Sequence, residues 1–88
     1  MKIRKGFVIR KVGDQQYAVA TGDALKHFKG MLKLNEMGAV ICTLLLDDVD
    51  TDKVVDRISE CFDGDRDEIV ADVNDFIEKL RSIDIIEE

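Results

Sequence analysis

The segment "GMLKLNEMGAVICTLL", residues 30–45, changes its hydrophobic period at Asn35, and this change limits the fold more than any other feature of the chain. Before Asn35, Leu32 and Leu34 flank Lys33, as in a half-buried strand whose side chains alternate between two faces. Asn35 itself can accept a hydrogen bond from a backbone N–H of a first helical turn. After it, apolar residues recur at helical spacing, namely Met37, Val40, Ile41, Leu44 and Leu45. The sequence therefore predicts a short strand that runs directly into a capped helix.

Two more strands are predicted upstream of this junction. The segment "FVIRKVGDQQYAVA", residues 7–20, alternates in polarity on both sides of Gly13-Asp14, a dipeptide typical of turns, and so indicates a hairpin. The segment from Gly22 to Gly30 is too short for a substantial helix, so we interpret it as a connection with at most one helical turn. We expect His27 within it to be exposed and without a functional role, because no titratable partner stands at a catalytic spacing.

Two more helices are predicted downstream. The acidic "DDVD", residues 47–50, ends the first helix, and Thr51 is expected to cap a second one. Asp65 and Glu68 then have the spacing of a capping box that opens a third helix. The apolar stripes are Val54, Val55, Ile58, Cys61 and Phe62 on the second helix, and Ile69, Val70, Val73, Phe76, Ile77 and Leu80 on the third.

This order of elements predicts an α+β fold of the winged-helix type, in which a three-stranded antiparallel meander is followed by a three-helix cluster. With 88 residues, the chain is expected to form a single domain, residues 1–88. No apolar run approaches the ~20 residues that span a bilayer. The N-terminal "MKIRKGFVIRK" also lacks the apolar core of a signal peptide. We therefore expect a cytoplasmic protein without a membrane partner.

The sequence contains no motif that predicts catalysis or a cofactor. It has no Gly-rich phosphate loop, H-E-x-x-H, C-x-x-C or G-x-S-x-G, and the many carboxylates lie opposite apolar stripes, where solvation explains them. Cys42 and Cys61 with the single His27 cannot complete a four-ligand zinc site, so no metal is expected. We expect both cysteines to be buried reduced thiols, and a disulfide is the alternative.

Charge is divided unevenly along the chain. Residues 1–33 carry eight Lys/Arg and two acids, a net +6, whereas residues 34–88 carry five Lys/Arg and seventeen acids, a net −12, which sum to the total of −6. This division either orients a charged partner or only keeps a small domain soluble. Acids outnumber bases on the second and third predicted helices, so phosphate would be repelled and no nucleic-acid partner is expected.

Two segments resemble a known family. The segment "LNEMGAVICTLL" is similar to the L-N-x-T-G-A-x-I-W-x-L-L stretch of PqqD-like proteins, and "ADVNDFIEKLRSIDII" resembles their D-V-x-x-F-L-x-x-L-x-x-x-G-L-L ending. The predicted hairpin matches their opening strands more loosely. Cys42 stands where many relatives carry Trp, Met37 where many carry Thr, and Asp84 where a helix-ending Gly is usual.

The resemblance implies a winged-helix peptide chaperone, the recognition element of pathways that modify ribosomally synthesised peptides (a RiPP recognition element). It implies a non-catalytic domain that binds the leader of a precursor peptide. The domain presents this peptide to a modifying enzyme, often a radical S-adenosylmethionine (radical SAM) enzyme. The domain would act as a monomer or a homodimer. The alternative is a winged-helix transcriptional regulator or a dimerising regulatory module.

We expect the leader to add as a strand to the edge of the third predicted strand and to contact the third helix. On that helix, Ile69, Val73, Phe76 and Leu80 are expected to face the core. An alternative for Lys29 and Lys33 is that they only protect the edge from aggregation. The predicted peptide-binding residues are Lys29, Gly30, Met31, Leu32, Lys33 and Leu34 on the strand, and Val70, Asn74, Ile77 and Arg81 on the helix.

Overall fold

A computed structural model describes residues 1–88 and shows a three-stranded antiparallel sheet followed by three helices, which confirms the predicted α+β fold. A two-stranded sheet formed by the chain ends accompanies it. The elements in chain order are β1 (Lys2–Ile3), β2 (Phe7–Val12), β3 (Gln15–Ala20), a 3₁₀ helix (Gly22–Lys26), β4 (Met31–Leu34), α1 (Glu36–Leu44), α2 (Thr51–Cys61), α3 (Arg66–Ser82) and β5 (Ile86–Glu87).

The larger sheet has the order β2-β3-β4, so β4 lies at an edge. Strands β2 and β3 form the predicted hairpin, in which Val12 pairs with Gln15 across the two-residue turn Gly13-Asp14. Gly13 has φ +62°, a left-handed conformation that glycine adopts without steric cost. The connection between β3 and β4 contains the single short helical turn that the sequence predicts.

The junction between β4 and α1 forms as predicted. Asn35 is the N-cap of α1, and its side-chain oxygen accepts a hydrogen bond from the backbone N–H of Gly38 at 2.7 Å. The bond satisfies one of the N–H groups that a helix start leaves without an intrahelical partner. The strand therefore passes into the helix within a single residue, which fixes the end of β4 against α1.

The starts of the other two helices differ from the prediction. Asp50, not Thr51, caps α2, because its carboxylate accepts from the backbone N–H of Lys53 at 2.9 Å and Thr51 is already helical. Asp65 is the N-cap of α3, but its side chain makes no capping hydrogen bond, so the predicted capping box with Glu68 does not form. The carboxylates of the first turn still stabilise this helix start through the helix dipole.

The core is one cluster of 19 buried residues drawn from the sheet, all three helices and the chain ends. On α3 it contains Ile69, Val73, Ile77 and Leu80, whereas Phe76 is only half-buried at the margin. The prediction that Phe76 faces the core and Ile77 lies outside it was wrong. The two residues are adjacent, and a helical period alone cannot tell which of them belongs to the buried stripe.

The two cysteines also differ. Both are free thiols, but Cys42 is buried and Cys61 is exposed at the end of α2, so the expectation of two buried thiols was correct only for Cys42. Burial raises the pKa of the Cys42 thiol to about 12, because the thiolate would lose its hydration.

The chain ends meet in the small β1–β5 sheet, which the sequence analysis did not predict. Ile3 pairs with Ile86, and both side chains enter the core. Just before β5, Asp84 adopts the left-handed conformation, φ +63°. Its carboxylate accepts from Arg4 at 2.7 Å and bonds His27 Nδ1 at 2.7 Å. His27 is thus exposed as predicted, but it has a titratable partner.

Candidate binding cleft

The exposed edge of β4 is the first component of the site. The carbonyl of Gly30 accepts from the backbone N–H of Ala20 at 3.5 Å, and Leu32 and Leu34 are opposite Ala18 and Gln16 in the same register. Because backbone groups alternate in direction along an antiparallel strand, the N–H and C=O groups of Met31 and Lys33 point away from β3. Strand β4 therefore presents two donors and two acceptors at an edge that no other strand covers.

A cleft connects this edge with α3, and we divide it into two halves that share Asn35, Phe76 and Lys79. The β4 half, about 370 Å³, is lined in addition by Gln15, Lys33 and Leu34. The α1 half, about 430 Å³, is lined in addition by Met37, Gly38, Ile41, Asp72 and Asp75. The ring of Phe76 thus stands where the two halves meet.

The Phe76 ring of α3 lies close to Gly38 of α1, and this contact shapes the α1 half of the cleft. A Cβ atom placed on Gly38 would lie 3.0 Å from two ring atoms of Phe76 and 3.0 Å from the side-chain oxygen of Asn35. A side chain at residue 38 would crowd the Phe76 ring, so the glycine allows the ring to lie close to the α1 backbone. The absence of a side chain there also leaves room between Met37 and Ile41 in the α1 half.

Charged residues of both signs line the cleft. Lys33 lines the β4 half, Asp72 and Asp75 line the α1 half, and Lys79 lies between the halves. None of these four side chains takes part in a salt bridge, although arginines elsewhere on α2 and α3 are paired with nearby carboxylates. The cleft is thus amphipathic, with Lys33 as the free cation of the β4 half alone, Asp72 and Asp75 as the free carboxylates of the α1 half, and Lys79 shared by both halves.

A comparison with protein families identifies the chain. The family described as "Coenzyme PQQ synthesis protein D (PqqD)" matches residues 17–86, which include all three helices and every residue named in the cleft except Gln15. The chain belongs to the PqqD family. The resemblance found in the sequence motifs is thereby confirmed.

A solved structure resembles this PqqD-family chain over nearly its whole length. It is described as "TbiB1 in Complex with the TbiA(beta) Leader Peptide" and has a TM-score of 0.76, with 23% sequence identity over 99% of this chain and 95% of that chain. At this identity the similarity establishes the shared fold. A search of curated protein sequences gave no significant match.

The PqqD-family fold places the predicted strand residues where a ligand could reach them. Lys33 and Leu34 line the cleft, Met31 is 57% exposed on the sheet, and Lys29 and Gly30 are exposed just before β4. Leu32 is half-buried and packs against the core. The strand half of the predicted site therefore coincides with the open edge, and its role in peptide binding stays a prediction.

The predicted helix residues lie elsewhere. Ile77 is 2% exposed in the core, and Arg81 bonds Glu78 and Glu88 toward the chain end, while neither Val70 nor Asn74 lines the cleft. The α3 residues that line it are Asp72, Asp75, Phe76 and Lys79. Their spacing of i, i+3, i+4 and i+7 places them on one face of the helix. The sequence signal that could have identified this face is an aromatic residue with charged residues of both signs beside it.

No group of three or more His, Cys, Asp and Glu side chains converges to a metal-binding arrangement. None of the helices has the length and apolar character that crossing a membrane requires.

Proposed function

We propose that this PqqD-family domain binds the leader segment of a ribosomally made precursor peptide and presents it to a modifying enzyme. The observation that carries the proposal is the open edge of β4 beside the cleft formed with α3. A bound leader would lie as a fourth strand next to β4, with its side chains alternating between the cleft and the outer surface.

The backbone of β4 suits this role. Met31 and Lys33 offer main-chain hydrogen bonds that do not depend on the peptide sequence, and the cleft supplies contacts that do. Because Asn35 caps α1, the strand end cannot shift relative to the helix, which keeps the edge ordered before the peptide arrives. The comparison structure supports the proposal, since TbiB1 was solved with a leader peptide bound.

The enzyme that receives the peptide is, in this proposal, a radical SAM enzyme or another peptide-modifying enzyme, as the PqqD family implies. The domain itself would contribute binding and orientation, and no catalytic group. The alternative role as a transcriptional regulator has no observation in its favour. The exposed faces of α2 and α3 are rich in carboxylates that would repel a phosphate backbone.

The proposal is tested by NMR titration of the ¹⁵N-labelled domain with the leader half of a short precursor peptide encoded beside its gene. We expect the amide signals of residues 31–34 and those of Phe76 and Lys79 to shift together and to saturate at one peptide per domain. Shifts confined to α2, or no shifts at a large excess of peptide, would reject the proposal.

A further inference from the structure

We infer that the cleft selects peptides by the order of their charges around a large apolar side chain. In this assignment an acidic side chain lies beside Lys33 and Lys79, an apolar side chain lies over Phe76, and a basic side chain lies beside Asp72 and Asp75. The inference rests on the proposed function and adds to it the class of peptide that the cleft accepts.

The first observation is that all four charges are available. The structure contains eight salt bridges, and none involves Lys33, Lys79, Asp72 or Asp75. Arg81, one turn of α3 away from the cleft, is instead held by Glu78 and Glu88. A peptide can thus pair with the cleft charges without first breaking an internal ion pair.

The second observation is the position of the apolar surface between the charges. Phe76 lines both halves of the cleft, and Met37 and Ile41 line the α1 half next to it. Both Met37 and Phe76 are half-buried, so a peptide side chain placed here would remove apolar surface of both partners from water. The apolar side chain at this position therefore contributes affinity, and the charges on either side of it select between peptide sequences.

The distance between the charged residues of α3 sets the distance between the charged residues of the preferred peptide. Asp72 and Lys79 are separated by seven residues, which at the rise of an α-helix is a distance of ~10 Å along the helix axis. An extended peptide covers that distance in about three residues. Because only every second side chain of the added strand faces the cleft, the matching spacing is about four positions, and the preferred peptide carries its acidic, apolar and basic residues at i, i+2 and i+4.

The order of the charges matters because the cleft penalises the reverse order. A peptide that runs in the same direction along β4 but has its charges exchanged would bring an acid to Asp72 and Asp75 and a base to Lys33 and Lys79. Exposed ion pairs are weak individually, but the difference between attraction and repulsion at both ends adds up to roughly tenfold in affinity. Since the charges at the two ends differ in sign, a peptide with one acidic and one basic residue is favoured in a single register.

The test is selection of binders from a displayed library of random 12-residue peptides. One selection uses the parent domain, and a parallel one uses the variant with Lys33→Glu, Lys79→Glu, Asp72→Lys and Asp75→Lys. We expect the parent to enrich peptides with one charge order about four residues apart around a central apolar residue, and the variant to enrich the opposite order. Selected peptides without a charge order, or with the same order on both proteins, would overturn the inference and leave the proposed function intact.

A milder variant guards against misfolding of the exchanged protein. The affinity of one selected peptide is measured for Asp72→Asn/Asp75→Asn and for the control Asp47→Asn/Asp63→Asn, whose carboxylates are exposed, unpaired and outside the cleft. We expect about fivefold weaker binding for the first pair and no change for the second. Equal affinities would overturn the inference. Selected peptides that leave the amides of Met31 and Lys33 unshifted would instead overturn the proposed function.

Discussion

At the scale of single residues, the adjacent residues Phe76 and Ile77 of α3 have different roles, Ile77 in stability and Phe76 in the cleft. Ile77 is 2% exposed in the core, and Phe76 stands half-buried at the centre of the cleft. We predict that Ile77→Ala lowers the free energy of unfolding by ~2–5 kcal/mol, because it leaves a cavity among packed side chains. Phe76→Ala should cost less in stability but weaken peptide binding. Urea denaturation and a binding titration of both variants check this; an equal stability loss would show that the Phe76 ring belongs to the core.

The two thiols differ at the same scale. Cys42 is 0% exposed and burial raises its pKa to about 12, whereas Cys61 is exposed at the end of α2. Because the thiolate is the reactive form, we predict that iodoacetamide at pH 8 modifies Cys61 and leaves Cys42 intact until the protein is unfolded. Mass spectrometry of the digested protein locates the label. Modification of Cys42 at the same rate as Cys61 would contradict its burial.

At the scale of elements, Asp84 joins the end of α3 to β1 and to the connection before β4. Hydrogen bonds from Arg4, and then from His27, hold the pKa of the Asp84 carboxyl below its usual value. A lowered pKa means that the folded state binds its proton less readily than the unfolded state. The stability that these bonds contribute is therefore complete above the unfolded-state pKa of about 3.9 and is lost as the pH falls through the lower folded-state pKa.

We predict that Asp84→Asn lowers the melting temperature at pH 6 and that the difference from the parent shrinks toward pH 3. Asparagine tolerates the left-handed conformation of residue 84, so the variant removes the charge and keeps the backbone. Asp47→Asn, at an exposed and unpaired carboxylate, serves as the control and should show no such dependence on pH. A difference that stays constant down to pH 3 would show that the charge of Asp84 contributes nothing.

Some of these elements could be predicted from the sequence and others could not, for physical reasons. The β4–α1 junction was predictable because the change of hydrophobic period and a helix-capping residue coincide at Asn35. Strands β1 and β5 have two residues each and pair over more than 80 positions of sequence, so neither contains a periodic signal. The edge half of the cleft could be predicted from the order of the strands. Its helix half depends on how α3 is rotated about its axis, which decides that Phe76 and not Ile77 faces Gly38.

At the scale of the whole molecule, the cations of the first 33 residues lie on and around the sheet, whereas most acids lie on the helices and in the segments that join and follow them. We predict that Lys33→Glu weakens leader binding modestly and reduces its dependence on salt, because Lys33 lines the cleft. Lys53→Glu, an equal charge change on an exposed side chain of α2, should do neither. Calorimetric titration at low and high salt distinguishes them. A larger effect of Lys53→Glu would place the peptide at α2 instead of the cleft.

The central claim is that a peptide pairs with the backbone of β4, and replacement of one edge N–H tests it most directly. The N–H of Lys33 points to the open edge, and the preceding Leu32 has the extended conformation that proline favours before it. Lys33→Pro should therefore leave the sheet folded and remove one donor to the peptide, while Lys33→Gln removes only the charge. By calorimetric titration with the leader, we expect the proline variant to bind at least about fivefold more weakly than the glutamine variant. Equal affinities of the two folded variants would contradict strand addition at β4.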